Sequence, residues 1–483
     1  MNEKKQPFYK RPDFWIDAIL LALVFAIMVA WSLQPGMRPA GPDEPMRYDV
    51  AEWMYQHPGQ IPRGDTPEIR NPNWGVSYAF YPILSYMISS VFMLIAGIFT
   101  KNEESLLQAA RFAPTIFMMI ASYFTLQTGK KLFGRDMGRL YACLVIFLPG
   151  FHYLGTYVNN DSLALMSAAI ILHAWVGAVQ DGWTKKVCIE LSIGMGICFL
   201  SYYNAYGWIL WSFLFFCMTI LLCTSAPWKD RFKELFAKGI PVALITLGLS
   251  AWWFIRNAVI YNGDFLGRDT FNMVSEKYAK PHLRPSAIQN PYRQGWSLLD
   301  LIFYQNPGWP HNWFILSFVS FVGTFGHFDI YMEESVSKLY LYVLFAGFMC
   351  MLFFAGAFHM HSRQVTVIKQ KEAGRLIRTR TVVKDMTKLS RTGVFNFSMF
   401  MCMVTAFLVY LYYVYFADIQ AQGRYFMNAI YPIMYFVTLG FSAILDKLRT
   451  PPIVRKCFCG LLSLAWIIGA VLNYFLIILP AYN

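Results

Sequence analysis

The chain is laid out as long apolar blocks separated by polar linkers. The first block, between Asp13 and Pro35, is an apolar run of about 20 residues, the length needed to cross a bilayer's hydrocarbon core. Further apolar runs follow at 77–99, 112–129, 139–157, 162–180, 187–223, 239–255, 312–328, 339–358, 394–416, 427–445 and 457–479. The 187–223 run is long enough for two passes, broken near Tyr202-Tyr203-Asn204.

The linkers differ in charge, and that difference predicts sidedness. Lys4, Lys5, Lys10 and Arg11 precede the first run, and the linkers 130–139, 229–238, 361–392 and 447–456 are basic. By the positive-inside rule all of these face the cytoplasm, whereas 35–76, 262–311 and 417–426 belong outside. If 77–99 and 112–129 both crossed, Lys130, Lys131 and Arg135 would emerge on the outer side. The run 77–99, which contains Pro82 and Gly97, is therefore expected to be broken, interfacial or re-entrant, and the short 312–328 run has the same character. Excluding both leaves about 11 crossings, with the N-terminus inside and the C-terminus outside. The first run is longer than a signal peptide's apolar core and lacks a small-residue cleavage site, so it is expected to be retained.

The expected fold is an all-α polytopic membrane protein with a single transmembrane domain over 1–483. It has a first extracytoplasmic loop at 35–76 containing short amphipathic helices, a second at 262–311, and a basic cytoplasmic loop at 361–392. Composition agrees: 57% hydrophobic and 14% charged residues cannot solvate a globular surface of this length. The formal net charge of +13 concentrates in cytoplasmic linkers, which argues for the bilayer and against nucleic acid as its partner. The nine cysteines lie in or beside apolar segments and imply no disulfide framework, and Cys457 and Cys459 have no partnering Cys-His cluster to make a metal site.

Four polar groups should stand at the outer ends of apolar segments: Asp43-Glu44, Asn159-Asn160-Asp161, Arg256-Asn257 and Gln422-Gly423-Arg424-Tyr425. One outer-face cavity could gather them. Carboxylates beside arginines suit transfer from a phospho-linked donor, a carboxylate taking the acceptor proton while arginine binds the leaving phosphate. Plainer roles compete. Pro45 suits the first position of a helix over 45–56, which would make Glu44 its N-cap and place Asp43 at the positive end of the dipole. Capping accounts for one acid but not for both. Asp161 also precedes an apolar helix it could cap, Arg256 and Arg424 could anchor span ends by snorkelling, and His57 and His327 suit structural hydrogen bonding.

Beyond these separate readings, six motifs occur in order: Pro42-Asp43-Glu44-Pro45, Tyr81-Pro82-Ile83-Leu84-Ser85-Tyr86, Val158-Asn159-Asn160-Asp161-Ser162-Leu163, Trp253-Phe254-Ile255-Arg256-Asn257 with Gly263-Asp264, Ser320-Phe321-Val322-Gly323-Thr324-Phe325-Gly326, and Gln422-Gly423-Arg424-Tyr425-Phe426. In this the chain resembles a large bacterial group of polytopic membrane proteins that is itself similar to the GT-C superfamily of integral membrane glycosyltransferases. The resemblance implies a GT-C-like bundle in the cell membrane. It also implies inverting transfer of a monosaccharide from a polyprenyl-phosphate donor to a glycan, teichoic acid or lipid acceptor at an extracytoplasmic active site. It carries the general base to Asp43, with Glu44 second, and a base- or acceptor-orienting acid to Asp161. Donor-phosphate binding goes to Arg256, Arg424 and Tyr425, and Asn160, Asn257 and His327 are expected near the site, with the acceptor or in structural roles. Tyr81-Pro82-Ile83 stands where some mannosyltransferases carry His-Pro-Pro, which speaks against a protein acceptor. Members differ in divalent-cation use, so that remains open. The rival readings are a transporter or flippase for a lipid-linked saccharide and a non-catalytic subunit of an envelope-polymer assembly. The first would want functional charges at the midplane and a repeated architecture, which the sequence lacks.

Overall fold

A computed structural model describes residues 12–34, 41–372 and 375–482, with the side chains of 362–387 outside the description. The N-terminal basic residues, the start of the expected first extracytoplasmic loop at 35–40, and most of the basic side chains of 361–392 therefore lie outside the described residues.

The helices are α1 (Pro12–Ser32), α2 (Glu44–Gln56), α3 (Leu84–Ala96), α4 (Glu103–Phe133), α5 (Arg135–Ile146), α6 (Pro149–Leu154), α7 (Asp161–Asp181), α8 (Lys185–Phe199), α9 (Tyr206–Leu221), α10 (Trp228–Ile260), α11 (Arg268–Tyr278), α12 (Leu298–Phe303), α13 (Trp313–Gly323), α14 (Glu334–Cys350), α15 (Arg391–Phe416), α16 (Ile430–Lys447), α17 (Pro452–Asn473) and α18 (Leu479–Tyr482). Two antiparallel hairpins interrupt them, β1 (Thr324–Phe325) with β2 (Ile330–Tyr331) and β3 (His361–Glu372) with β4 (Arg375–Leu389). The expected loop 361–392 is thus largely a long hairpin.

Among the described residues, nine helical stretches are long and apolar enough to cross a membrane: Pro12–Ser32, Glu103–Phe133, Asp161–Asp181, Tyr203–Leu221, Trp228–Ile260, Glu334–Ala355, Arg391–Phe416, Gly423–Lys447 and Pro452–Tyr482. The protein is a multi-pass membrane protein. The expected count of about 11 also included 139–157 and the first half of 187–223. The former is divided into α5 and α6 because Pro149 cannot continue the preceding hydrogen-bond ladder. The latter is the 15-residue α8, whose first turn is Lys185-Lys186.

Contacts sort the segment ends into two groups. At one end, Asp17 pairs with Lys130 at 2.5 Å and Arg139 at 2.9 Å, and Asp13 pairs with Arg135 at 3.0 Å. Gln180 reaches the Lys131 carbonyl, and Leu389 N–H reaches the Leu222 carbonyl. A Cβ on Gly182, just after α7, would lie 3.8 Å from Arg391 Nη1, Arg231 Nη1 donates to the Leu221 carbonyl, and Cys459 on α17 lies against Met137, so the four basic linkers share an end. At the opposite end, Lys280 N–H donates to Asn73 and Tyr292 N–H to Tyr415, bringing together the three segments expected outside. Both ends of α3 belong there: Ser85 Oγ donates to the Asn159 carbonyl, and Lys101, just beyond α3, donates to Tyr55 on α2. With 13 residues, α3 lies at that end and leaves α4 to cross.

Close approach of small residues brings the helices together. A Cβ on Gly129 of α4 would stand 2.4 Å from the Gly138 carbonyl oxygen of α5, and one on Gly138 equally close to the Gly129 oxygen, so backbone packs on backbone there. The site-bearing helix α7 is the most enclosed long segment, with 89% of its apolar window buried inside the protein, against 17% for α10 and 28% for α1.

Candidate active site

The site begins at a turn. Asp43 adopts a left-handed backbone, φ 62°, a conformation Asp tolerates better than most residues, and caps α2 without a side-chain hydrogen bond to its amides. The helix therefore starts at Glu44 with Pro45 in its first turn, one residue earlier than expected, and Glu44 is not the N-cap. This turn sends the two adjacent acids in different directions.

The Glu44 side chain is fully buried. Both its oxygens accept from Arg111 of α4, Oε1 from Nε and Oε2 from Nη2, each at 2.8 Å, and Oε1 also accepts the Val158 N–H at 2.9 Å. Arg111 Nη1 donates to the Gln34 carbonyl at 3.1 Å. This fork-on-fork pair pins α2 and the 158–160 turn to α1 and α4.

The Asp43 side chain is one-third exposed. Its Oδ2 lies 2.8 Å from Arg424 Nη2 and 3.9 Å from Arg47 Nη2. Arg47, one turn along α2, reaches Asp161 Oδ2 from Nη1 at 3.3 Å, and Arg424 Nη1 lies 3.8 Å from the same oxygen. Two carboxylates and two guanidiniums thus close a charge-neutral ring in which Arg47, Asp161 and Arg424 are buried. Burial raises the Asp43 pKa, but Arg424 and Arg47 outweigh it, with the Tyr78 hydroxyl adding a hydrogen bond, so the carboxyl sits below its ordinary value. Asp43 is ionised at neutral pH.

The ring is framed by Tyr78, whose face lies 4.9 Å from the Arg47 guanidinium, and by Tyr425, at the same distance from Arg424. Asn204 donates to Asp161 Oδ1 at 3.5 Å and to the Tyr425 carbonyl at 3.3 Å. Gln422 accepts from Arg424 Nε at 2.6 Å, and Gln420 accepts from the Tyr425 hydroxyl at 2.9 Å. Gly423 permits this geometry, since a Cβ there would come within 2.2 Å of the Phe321 nitrogen on α13. Several buried polar atoms around the ring have no hydrogen-bond partner within the protein: Arg47 Nε and Nη2, Arg424 Nη1, both amide atoms of Asn160, and the Tyr86 and Tyr157 hydroxyls. A site so rich in unmatched donors is built to receive acceptor atoms.

Of the expected residues, the structure gathers Asp43, Asp161, Arg424 and Tyr425, with Asn160 beside Asp161 at the N-cap of α7. Arg256 stands apart. Its Nη2 donates to the Ile61 and Pro62 carbonyls at 3.0 and 2.8 Å, its Nη1 reaches Asn257 at 3.3 Å, and it lies over the Trp253 ring. Its contacts tie α10 to the segment that follows α2. Buried Asn257 is engaged there with it. His327 lies exposed on the turn between β1 and β2. Sequence reasoning passed over three members. Arg47 falls four residues after Asp43 on the expected helix 45–56, and so on the same face. Arg111 interrupts the approach to an apolar run, where a charge needs a partner. Asn204 reads in the sequence only as part of the break between two passes.

Next to the ring, α13, α14, α15 and α16 enclose an apolar groove of about 880 Å³. Phe318, Phe321, Phe407 and Phe426 line its ring-side part, with Phe321 and Phe426 stacked at 5.1 Å. Among the described residues, no group of three or more His, Cys, Asp and Glu side chains is gathered as metal ligands.

Residues 82–253 match the family model described as dolichyl-phosphate-mannose-protein mannosyltransferase, a stretch that includes Arg111 and Asp161 but neither Asp43 nor Arg424. No curated protein matches the chain. The oligosaccharyltransferase of Archaeoglobus fulgidus in complex with zinc and sulfate is similar in structure, at TM-score 0.52 and 16% identity over 96% of this chain and 53% of that one. The archaeal oligosaccharyltransferase AglB from Archaeoglobus fulgidus, in complex with an inhibitory peptide and a dolichol-phosphate, gives TM-score 0.51 and 15% identity over 97% and 56% of the two chains. ArnT from Cupriavidus metallidurans in the apo state gives 0.47 and 11% over 89% and 59%. The chain spans little more than half the length of these structures. Over nearly its whole length the chain shares the fold of these archaeal oligosaccharyltransferases.

Proposed function

We propose that the protein transfers a monosaccharide from a polyprenyl-phosphate donor to a hydroxyl of a glycan, teichoic acid or lipid on the extracytoplasmic face, with inversion. One observation carries this reading. Asp43 is an ionised, partly exposed carboxylate held 2.8 Å from an arginine whose other terminal nitrogen has no hydrogen-bond partner, beside an apolar groove. Base and phosphate-binding group are thus the two sides of one contact.

In this mechanism the isoprenoid lies along the groove between α13 and α16, and the donor phosphate meets Arg424 Nη1. Asp43 takes the acceptor's hydroxyl proton as that oxygen attacks the anomeric carbon from the face opposite the phosphate. The new C–O bond forms as the sugar–phosphate C–O bond breaks, and lipid phosphate leaves as an anion paired with Arg424. Asp161 holds both arginines in place. The family match, the dolichol-phosphate bound by a similarly folded protein, and the clustering of the ring at one end of the bundle all support this reading. Trp296 and Tyr304 of the second outer segment, 4.8 Å apart beside Asp300, form an open aromatic pocket suited to stacking against acceptor sugars.

The test is a reconstituted assay of wild type and Asp43→Asn with polyprenyl-phosphate sugars and an envelope extract as acceptor. Sugar transfer by wild type and its loss in the variant, with donor binding kept, is the expected result. No transfer from any donor, with movement of lipid-linked saccharide across wild-type vesicles, would instead establish the transporter reading.

A further inference from the structure

One solved structure with this fold carries zinc. Whether the two aspartates here suit a divalent cation depends on what stands between them. Arg47 stands there, fully buried, with Nη1 at 3.3 Å from Asp161 Oδ2 and Nη2 at 3.9 Å from Asp43 Oδ2. Arg424 approaches the same two oxygens at 2.8 and 3.8 Å. The carboxylate oxygens that a bridging ion would use are therefore already engaged by guanidinium.

Charge and ligand chemistry agree with this. Two arginines already balance two aspartates, so a dication would add two uncompensated charges to a largely buried site and face both guanidiniums. Calcium takes about six to eight oxygen ligands and magnesium near-octahedral geometry, whereas the arginines' unmatched atoms here, Arg47 Nε and Nη2 and Arg424 Nη1, are donors that repel a cation. The residues present do not fit a divalent metal.

We propose that Arg47 occupies the place of a divalent cation, as a fixed internal cation bridging Asp43 and Asp161, so that the transfer reaction runs without metal. Arg47 is a positioning residue: it orients the base Asp43 and the acid Asp161. This rests on the transferase reading for its catalytic consequence, but its first measurement does not.

Mn²⁺ binding to purified wild-type protein is followed by electron paramagnetic resonance up to about 1 mM, the range of weak cation sites. No stoichiometric site is expected. A site present in wild type and lost in Asp161→Asn overturns the proposal, whatever the activity. In the transfer assay, exhaustive chelation should change the wild-type rate by less than roughly twofold, and a loss of about tenfold or more that Mn²⁺ restores also overturns it. Arg47→Ala should lose about 10- to 100-fold in rate and recover on addition of guanidinium ion, a response that a merely structural defect would not show. Its thermal midpoint, measured alongside, separates loss of folding from loss of the internal cation. If wild type transfers no sugar at all, the transferase reading fails, while the Mn²⁺ titration still decides this proposal.

Discussion

Substitution of the neighbouring acids Glu44 and Asp43 should produce opposite phenotypes, although the two occupy consecutive positions. Breaking a buried ion pair by removing one partner costs about 3–5 kcal/mol, because the other charge stays buried and uncompensated. In Glu44→Gln the Val158 N–H keeps an acceptor and Arg111 keeps its backbone carbonyls, which places the loss near the lower end, about 3 kcal/mol. Arg111→Met leaves a fully buried carboxylate with one N–H donor and belongs near about 5 kcal/mol. At about 2.1 cal/mol/K of unfolding entropy per residue, 483 residues give roughly 1 kcal/mol/K, so the midpoints should fall by about 3 and 5 °C. The double variant Glu44→Gln/Arg111→Met, which leaves no charge at this pair, should be more stable than either single variant. Asp43→Asn removes a one-third exposed carboxylate from two buried arginines, of which Arg424 keeps Gln422 and Arg47 keeps Asp161, and should cost less, about 2 kcal/mol. The assay is thermal unfolding in detergent at one scan rate, since membrane proteins unfold irreversibly. A Glu44→Gln midpoint indistinguishable from wild type, or a double variant as damaged as the sum of the singles, would refute the reasoning.

Other outcomes follow from the same geometry. Asp43→Asn should lower the transfer rate by about 10²- to 10⁴-fold, the usual contribution of a general base, with donor affinity retained in equilibrium binding. Because the folded-state pKa of Asp43 is lowered, its stabilising charge persists above the ordinary aspartate value of 3.8 and is lost only as pH falls through the lower folded value. The acid limb of the kcat/KM profile should accordingly lie below pH 3.8 wherever the protein stays folded, and a limb near neutrality would exclude Asp43 as the base. Val404→Trp, which narrows the groove between α13 and α16, should raise KM for a long-chain prenyl donor by about tenfold, ~1.4 kcal/mol, yet leave a short-chain donor unaffected; equal effects on both would place the tail elsewhere. Arg256→Met should increase protease cleavage within 57–66 and leave donor KM unchanged, and a raised donor KM would return Arg256 to the phosphate site.

The sequence carried the site's vocabulary better than its pairings. Asp43, Asp161 and Arg424 each sit at the polar margin of an apolar run, which is why all three were legible. That Asp43 meets Arg424 across 381 residues is tertiary information with no local signal. Arg47 was within reach, since helical spacing alone places it on the face of Asp43. The division of labour between Asp43 and Glu44 was not, because it depends on one left-handed residue that rotates α2 by a position. The split of 139–157 could have been read from Pro149, and the hairpin in 361–392 from Val365 and Val367 alternating with polar residues. The two-ended sorting of linkers followed directly from their charge, because the cost of moving Lys or Arg through lipid is paid at every crossing.

The ring that unites residues 43, 47, 161 and 424 also imposes an order on biogenesis. Synthesis from the N-terminus delivers Asp43, Arg47 and Asp161 first, a trio with net charge −1. The balancing Arg424 emerges 263 residues after Asp161, roughly 13–53 s later at about 5–20 residues per second. For that interval the nascent protein holds an anionic notch in its growing bundle. The Gly423–Ala429 turn that leads into α16 then acts as a keystone, and a ribosome that stops short of residue 424 leaves behind a bundle whose ring charges do not sum to zero.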